Sequence, residues 1–141
     1  MTRAAGTLAA AVLLCLGAVH FYWAAGGRWG SDVAVPERDG QVLFTPSPAA
    51  TVLVAMLLCA AALVLLGRLG FWGGWLPQWL FVAGSWTLVA VFGGRVVGDL
   101  RWFGIFKQTT GTPFAWWDTW LYVPLCALLA LTALLVASSE P

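Results

Sequence analysis

His20, Arg95, Asp99, Arg101, Lys107, Asp118 and Tyr122 are the residues of this chain whose types suit chemistry. An imidazole and two carboxylates can give or take protons, and a phenol can orient a ligand. Arginine and lysine can hold an anionic headgroup, arginine by bidentate contact with phosphate or carboxylate. Arg95 and Asp99 stand four apart, so on one helix their side chains can meet, while Arg101 points elsewhere unless the helix has already ended by Gly98. Asp118, Tyr122 and Cys126 repeat at the same spacing, with Pro124 beside them to kink the helix. Asp118 also falls where a helix N-cap would stand. His20, the only histidine, shares a helical face with Trp23, Ala24 and Gly27. Each has a plainer reading: a boundary ion pair, a cap, an interhelical packing group, or an interfacial aromatic anchor.

The elements that must position these residues are apolar. Hydrophobic residues make up 61% of the chain and charged ones 9%, which places it among integral membrane proteins. Four stretches, at about 4–25, 49–67, 76–94 and 119–137, are each long enough to cross a hydrocarbon core of about 30 Å at about 1.5 Å per residue. The fold expected is all-α, an integral membrane four-helix bundle forming a single domain over 1–141. The first stretch is too long for a signal peptide and ends in Phe21, Tyr22 and Trp23 instead of small residues, so it reads as a permanent span.

Spans that alternate in direction bring both long connections, 26–48 and 95–118, to one side. That side carries ten of the thirteen charged residues: Arg28, Asp32, Glu37, Arg38, Asp39, Arg95, Asp99, Arg101, Lys107 and Asp118. Connections of this length usually have a task. The first offers turns at Gly26-Gly27, Asp39-Gly40 and Thr45-Pro46-Ser47-Pro48; the third is rich in aromatics that suit a membrane interface. The positive-inside rule then puts the long loops in the cytoplasm. Arginine-rich, alanine-rich usage points to a GC-rich bacterial source and hence its plasma membrane.

Several functions are excluded. A net charge of +1 without a basic run argues against nucleic acid. Cys15, Cys59 and Cys126 lie singly inside apolar spans and read as small buried hydrophobes. One histidine cannot supply both axial haem ligands, no Cys/His cluster suits zinc, and no glycine-rich phosphate loop is present, so no cofactor or metal is expected.

The segments His20-Phe-Tyr-Trp-Ala-Ala-Gly-Gly, Arg95-Val-Val-Gly-Asp-Leu-Arg-Trp-Phe-Gly-Ile-Phe-Lys and Gly111-Thr-Pro-Phe-Ala-Trp-Trp-Asp-Thr-Trp-Leu-Tyr-Val-Pro-Leu-Cys together resemble the bacterial domain-of-unknown-function 3995 family of small four-span membrane proteins. The resemblance implies an architecture and a set of residues, not an activity. Those residues overlap the cluster above and add Tyr22, Trp23 and Trp117 as candidate ligand contacts.

The leading expectation is a pocket at the polar end of the bundle for a membrane lipid or other amphiphilic small molecule. Arg95, Arg101 and Lys107 would attract an anionic headgroup, with Tyr22, Trp23 and Trp117 as further contacts. His20, Asp99 and Asp118 would be proton donors or acceptors and Tyr122 would orient the ligand. In this view the end of the third helix faces His20 and Asp118 across the bundle. Isomerase, hydrolase or transferase chemistry is compatible with it, as is binding alone. Transport of protons or a small solute is the second class, and an accessory or scaffold protein the third. Gly94-x-x-x-Gly98 would suit a homodimer.

Overall fold

The computed structural model describes residues 1–38 and 40–139; Asp39, one of the ten charged residues named above, and with it the Asp39-Gly40 turn, lies outside the described residues. Four helices are long and apolar enough to cross a membrane: α1 (Thr2–Ala24), α2 (Pro48–Arg68), α3 (Gln78–Val97) and α4 (Pro113–Ala137). Apart from a two-residue hairpin, β1 (Glu37–Arg38) antiparallel to β2 (Gln41–Val42), the elements are helical. The chain is an all-α membrane bundle.

Local chemistry fixes where two helices begin. Ser47 accepts the Ala50 amide at 3.2 Å and Pro48 follows at the first helical position. Thr112 accepts the Ala115 amide at 3.1 Å ahead of Pro113. Both are the cap-then-proline start that a proline's missing N–H favours. The fourth helix therefore opens at Pro113, ahead of the expected 119, and Asp118 is not its cap but lies inside it. Within α4 the segment Asp118–Tyr122 is a π-turn, closed by the Val123 amide on the Asp118 carbonyl. Pro124 has no amide to give to Trp120, and the wider turn moves the bonding register past that gap.

Helix α1 packs chiefly along α2, and α3 along α4. The core joins Ala9, Ala10 and Leu13 of α1, Ala61, Ala62 and Leu65 of α2, and Leu129, Ala133 and Val136 of α4. Small residues let these helices approach closely. A Cβ on Gly17 would stand 3.0 Å from Cys59 Sγ and 3.3 Å from the Ala55 carbonyl oxygen. The cluster draws on the start of α1 and the ends of α2 and α4, so the tightest packing lies at the end away from the long connections.

At the other end the connections fold onto the helices. The turn Ser31–Val33 packs on the opening of α4, and Tyr122 donates from its hydroxyl to the Val33 carbonyl at 3.0 Å. Both long connections thus share one end of the molecule. Helix α3 stops at Gly98, which takes φ +85. The chain then loops until Gly104 returns against Gly98: a Cβ on Gly104 would be 2.5 Å from both Gly98 Cα and the Val97 oxygen. Only glycine permits two backbones to cross so closely. Gly98 therefore serves this crossing, and Gly94-x-x-x-Gly98 does not form one continuous helix face.

Candidate functional site

Two charged residues of the third connection, Arg95 and Lys107, assemble around Asp118, whose side chain is 0% exposed. Its Oδ1 accepts from Arg95 Nη2 at 2.6 Å. Its Oδ2 accepts from the Gly104 amide at 2.8 Å and from Lys107 Nζ at 3.1 Å. Lys107 spends its other two hydrogens on Thr119 Oγ1 at 2.7 Å and, more weakly, on the Gly104 carbonyl at 3.4 Å. An ammonium has three hydrogens, so Lys107 keeps none for a ligand. Arg95 lays its guanidinium over the Phe103 ring, 4.4 Å from the centroid, and its Nη1 is buried with no hydrogen-bond partner among the described residues. Both carboxylate oxygens and one cation are thus occupied within the protein. The geometry is a clasp that ties the third connection to α3 and α4.

Asp99 does a different job from the one its spacing predicts. Because α3 ends at Val97, Asp99 is off the helix and does not meet Arg95. Its Oδ1 accepts the amides of Arg101, Trp102 and Phe103 at 3.0, 2.7 and 3.1 Å. Desolvation is the largest single effect and raises the carboxyl pKa, but these three amides and Asp99's own together outweigh it and hold the group below the usual aspartate value. Arg101 is exposed and rests its guanidinium over Trp102, 5.1 Å from the ring centroid.

His20 belongs to neither arrangement. It lines a separate cavity of about 430 Å³ between α1, α2 and the first connection, with Trp23, Ser31, Val35, Phe44, Thr51 and Val54 among the walls. Its Nδ1 is 2.8 Å from the Leu16 carbonyl. A carbonyl only accepts, so Nδ1 carries the hydrogen and Nε2 of the neutral ring is left with a lone pair. None of the described residues donates to that nitrogen. Trp23 meets the imidazole edge-on, 4.9 Å between centroids, and gives its own N–H to the Trp29 carbonyl at 2.8 Å.

Residues 4–133 match the family described as "Protein of unknown function (DUF3995)". The chain belongs to this family. The family match contains both the clasp and the cavity. No curated protein and no solved structure matches the chain.

The expected single cluster thus resolves into three places. Arg95, Lys107 and Asp118 come together; Asp99 and Arg101 sit on the loop beyond them; His20 and Trp23 face the cavity. The end of α3 faces Asp118 but not His20, which stands on the other helix pair. Tyr122 bridges α4 to the first connection through Val33, and its ring lies 6.0 Å from Phe114. Tyr22 is outside the cavity walls, its ring pressed against Gly27. Trp117 stacks edge-on with Trp116 at 5.2 Å, apart from the polar contacts. Among residues given no site role by the sequence, the Gly104 amide and Thr119 complete the clasp, and Ser31, Phe44, Thr45, Thr51 and Val54 complete the cavity. Thr45 is legible only as a turn residue and Thr51 as the one hydroxyl of the second span.

Proposed function

We propose that this membrane protein binds an amphiphilic molecule at the long-connection end of the bundle, in the cavity between α1 and α2. The observation that carries the reading is the wall of that cavity. It is mostly apolar, with a few polar groups at fixed points, the pattern of small-molecule sites. Its depth also suits an amphiphile. His20 lies four residues inside the end of α1 and Val54 six residues inside the start of α2; at about 1.5 Å per residue they stand roughly 6 and 9 Å below the helix ends. A ligand there has its head among the loops and its tail in the hydrocarbon. The clasp around Asp118 supports the site indirectly, since α4 anchors the Ser31–Val33 turn that roofs the cavity.

The domain resides in a bacterial plasma membrane with its long connections in the cytoplasm. Arg28, Arg38, Arg95, Arg101 and Lys107 at that end, against Arg3 and Arg68 at the other, support this orientation.

Native mass spectrometry with lipid extraction tests the binding reading, comparing the purified protein with Val54→Trp, which fills the cavity from its wall. A discrete amphiphile carried by the wild type and absent from the folded variant is the expected result. Equal bulk lipid on both proteins at equal melting temperature would refute it.

A further inference from the structure

The polar side chains around the His20 cavity have nearly all spent their hydrogens on the backbone. His20 Nδ1 gives its own to Leu16 O at 2.8 Å, Ser31 Oγ to Arg28 O at 2.7 Å, and Thr51 Oγ1 to Ser47 O at 3.0 Å. Trp23 Nε1 is committed to Trp29 O. What remains for a ligand is lone pairs, on His20 Nε2 and on the hydroxyl oxygens of Ser31 and Thr51. Thr45 is the one side chain of the wall whose hydroxyl has no bond among the described residues. Among the described residues, no lysine, arginine, aspartate or glutamate lines the cavity.

That inventory selects the ligand's head. An anionic head would bring more acceptors to a wall of acceptors, with no cation to compensate; burying an unpaired charge is costly. Lys107 and Arg95 are engaged with Asp118 instead. An ammonium would find acceptors but, among the described residues, no carboxylate in the wall, since Asp32, 3.5 Å from Ser31 Oγ, does not line it, and it could not accept from Thr45. A hydroxyl donates and accepts, and carries no charge.

Resting on the amphiphile reading of this same cavity, we infer that its ligand is an uncharged long-chain alcohol or phenol whose O–H donates to His20 Nε2. This reverses the expectation of an anionic headgroup drawn from the cations of the third connection, because those cations do not face the cavity.

Three probes with one tail and different heads separate the cases: dodecanol, dodecyl phosphate and dodecylammonium. Each is titrated into the full chain, labelled with nitrogen-15 at histidine, in phosphatidylcholine nanodiscs. The chain has a single histidine, so the imidazole signals report one site. Dodecanol is expected to move the Nε2 resonance and to bind at least about fivefold more tightly than the other two, the factor that one net hydrogen bond supplies. In His20→Phe, followed by native mass spectrometry, dodecanol binding weakens by about the same factor. Tighter binding of dodecyl phosphate or dodecylammonium, with the resonance moving, would overturn the uncharged-alcohol inference and leave the amphiphile reading standing. Saturable binding of none of the three would overturn both. The wild-type comparison decides the matter even where His20→Phe does not fold.

Discussion

Replacing Asp118 by asparagine keeps the shape of the clasp and removes its only negative charge. Oδ1 and Oδ2 each face a cation, at 2.6 and 3.1 Å, and Oδ2 also faces the Gly104 amide. An asparagine must turn its NH₂ toward one of these donors, so one contact becomes donor against donor. Removing one partner of a buried ion pair costs about 3–5 kcal/mol. The lower end applies here, because the Arg95 side chain is 28% exposed and can recruit water, whereas Lys107 at 9% cannot do so as readily. A loss of about 3 kcal/mol corresponds to a fall of about 10 °C in melting temperature for a chain of this size. Thermal unfolding in detergent measures it, and trypsin supplies a local readout because Arg101 and Lys107 lie on the segment the clasp holds. Asp118→Asn should be cut there faster than wild type below the melting transition. Lys107→Met should be the next most damaging change and Arg95→Met the mildest, following their exposure. Replacing all three by apolar residues of similar size should recover much of the loss, since no buried charge is left alone. A shift under about 2 °C for Asp118→Asn, with unchanged proteolysis, would refute the clasp, because even the median surface ion pair is worth only up to about 1 kcal/mol.

Gly104→Ala should fail to give folded protein or cost about 3 kcal/mol or more, since its Cβ meets backbone on the far side of the crossing; a melting temperature equal to wild type would contradict the crossing. Gly94→Ala, where no atom lies within 4 Å of the added carbon, should be neutral or stabilising by about 0.5–1 kcal/mol, as expected for alanine over glycine in a helix, and thermal unfolding compares the two directly. Asp99 has a folded pKa below its unfolded value of 3.8, so its contribution is complete above about that pH and is lost as the pH falls through the lower folded value. Hydrogen exchange at the amides of Arg101, Trp102 and Phe103 should therefore quicken in Asp99→Ala by about fivefold at neutral pH, and unchanged protection would remove its role as the loop's acceptor. A C-terminal alkaline phosphatase fusion should be active and a fluorescent-protein fusion dark if the long connections are cytoplasmic; the reverse pattern inverts the orientation.

The four spans were legible because a lipid-facing helix must be apolar along its whole length, and hydropathy alone records that. The start of α4 was harder. Trp116, Trp117 and Asp118 lower its apolar character, so hydropathy begins the span late, while the Thr112-Pro113 start signal sits upstream of it. The partner of Arg95 was not legible at all. Four-residue spacing favours Asp99 only while the helix continues, and it stops because Gly98 and Gly104 must cross, a contact between residues that look unremarkable in sequence. The separation of His20 from Asp118 depends on which helices lie side by side. Apolar spans of nearly uniform character carry little information about neighbours, so one polar end was foreseeable and its division into clasp and cavity was not.

The chain is made from its N-terminus, and the order of residues in the clasp follows that direction. Arg95, Gly104 and Lys107 all precede Asp118 in the sequence. When the ribosome adds the aspartate, every donor it will bind has already been synthesised. Among the described residues, the carboxylate that ends up fully buried at the mouth of a membrane span thus arrives after every donor it will bind, and need not wait in the bilayer for one still to be translated.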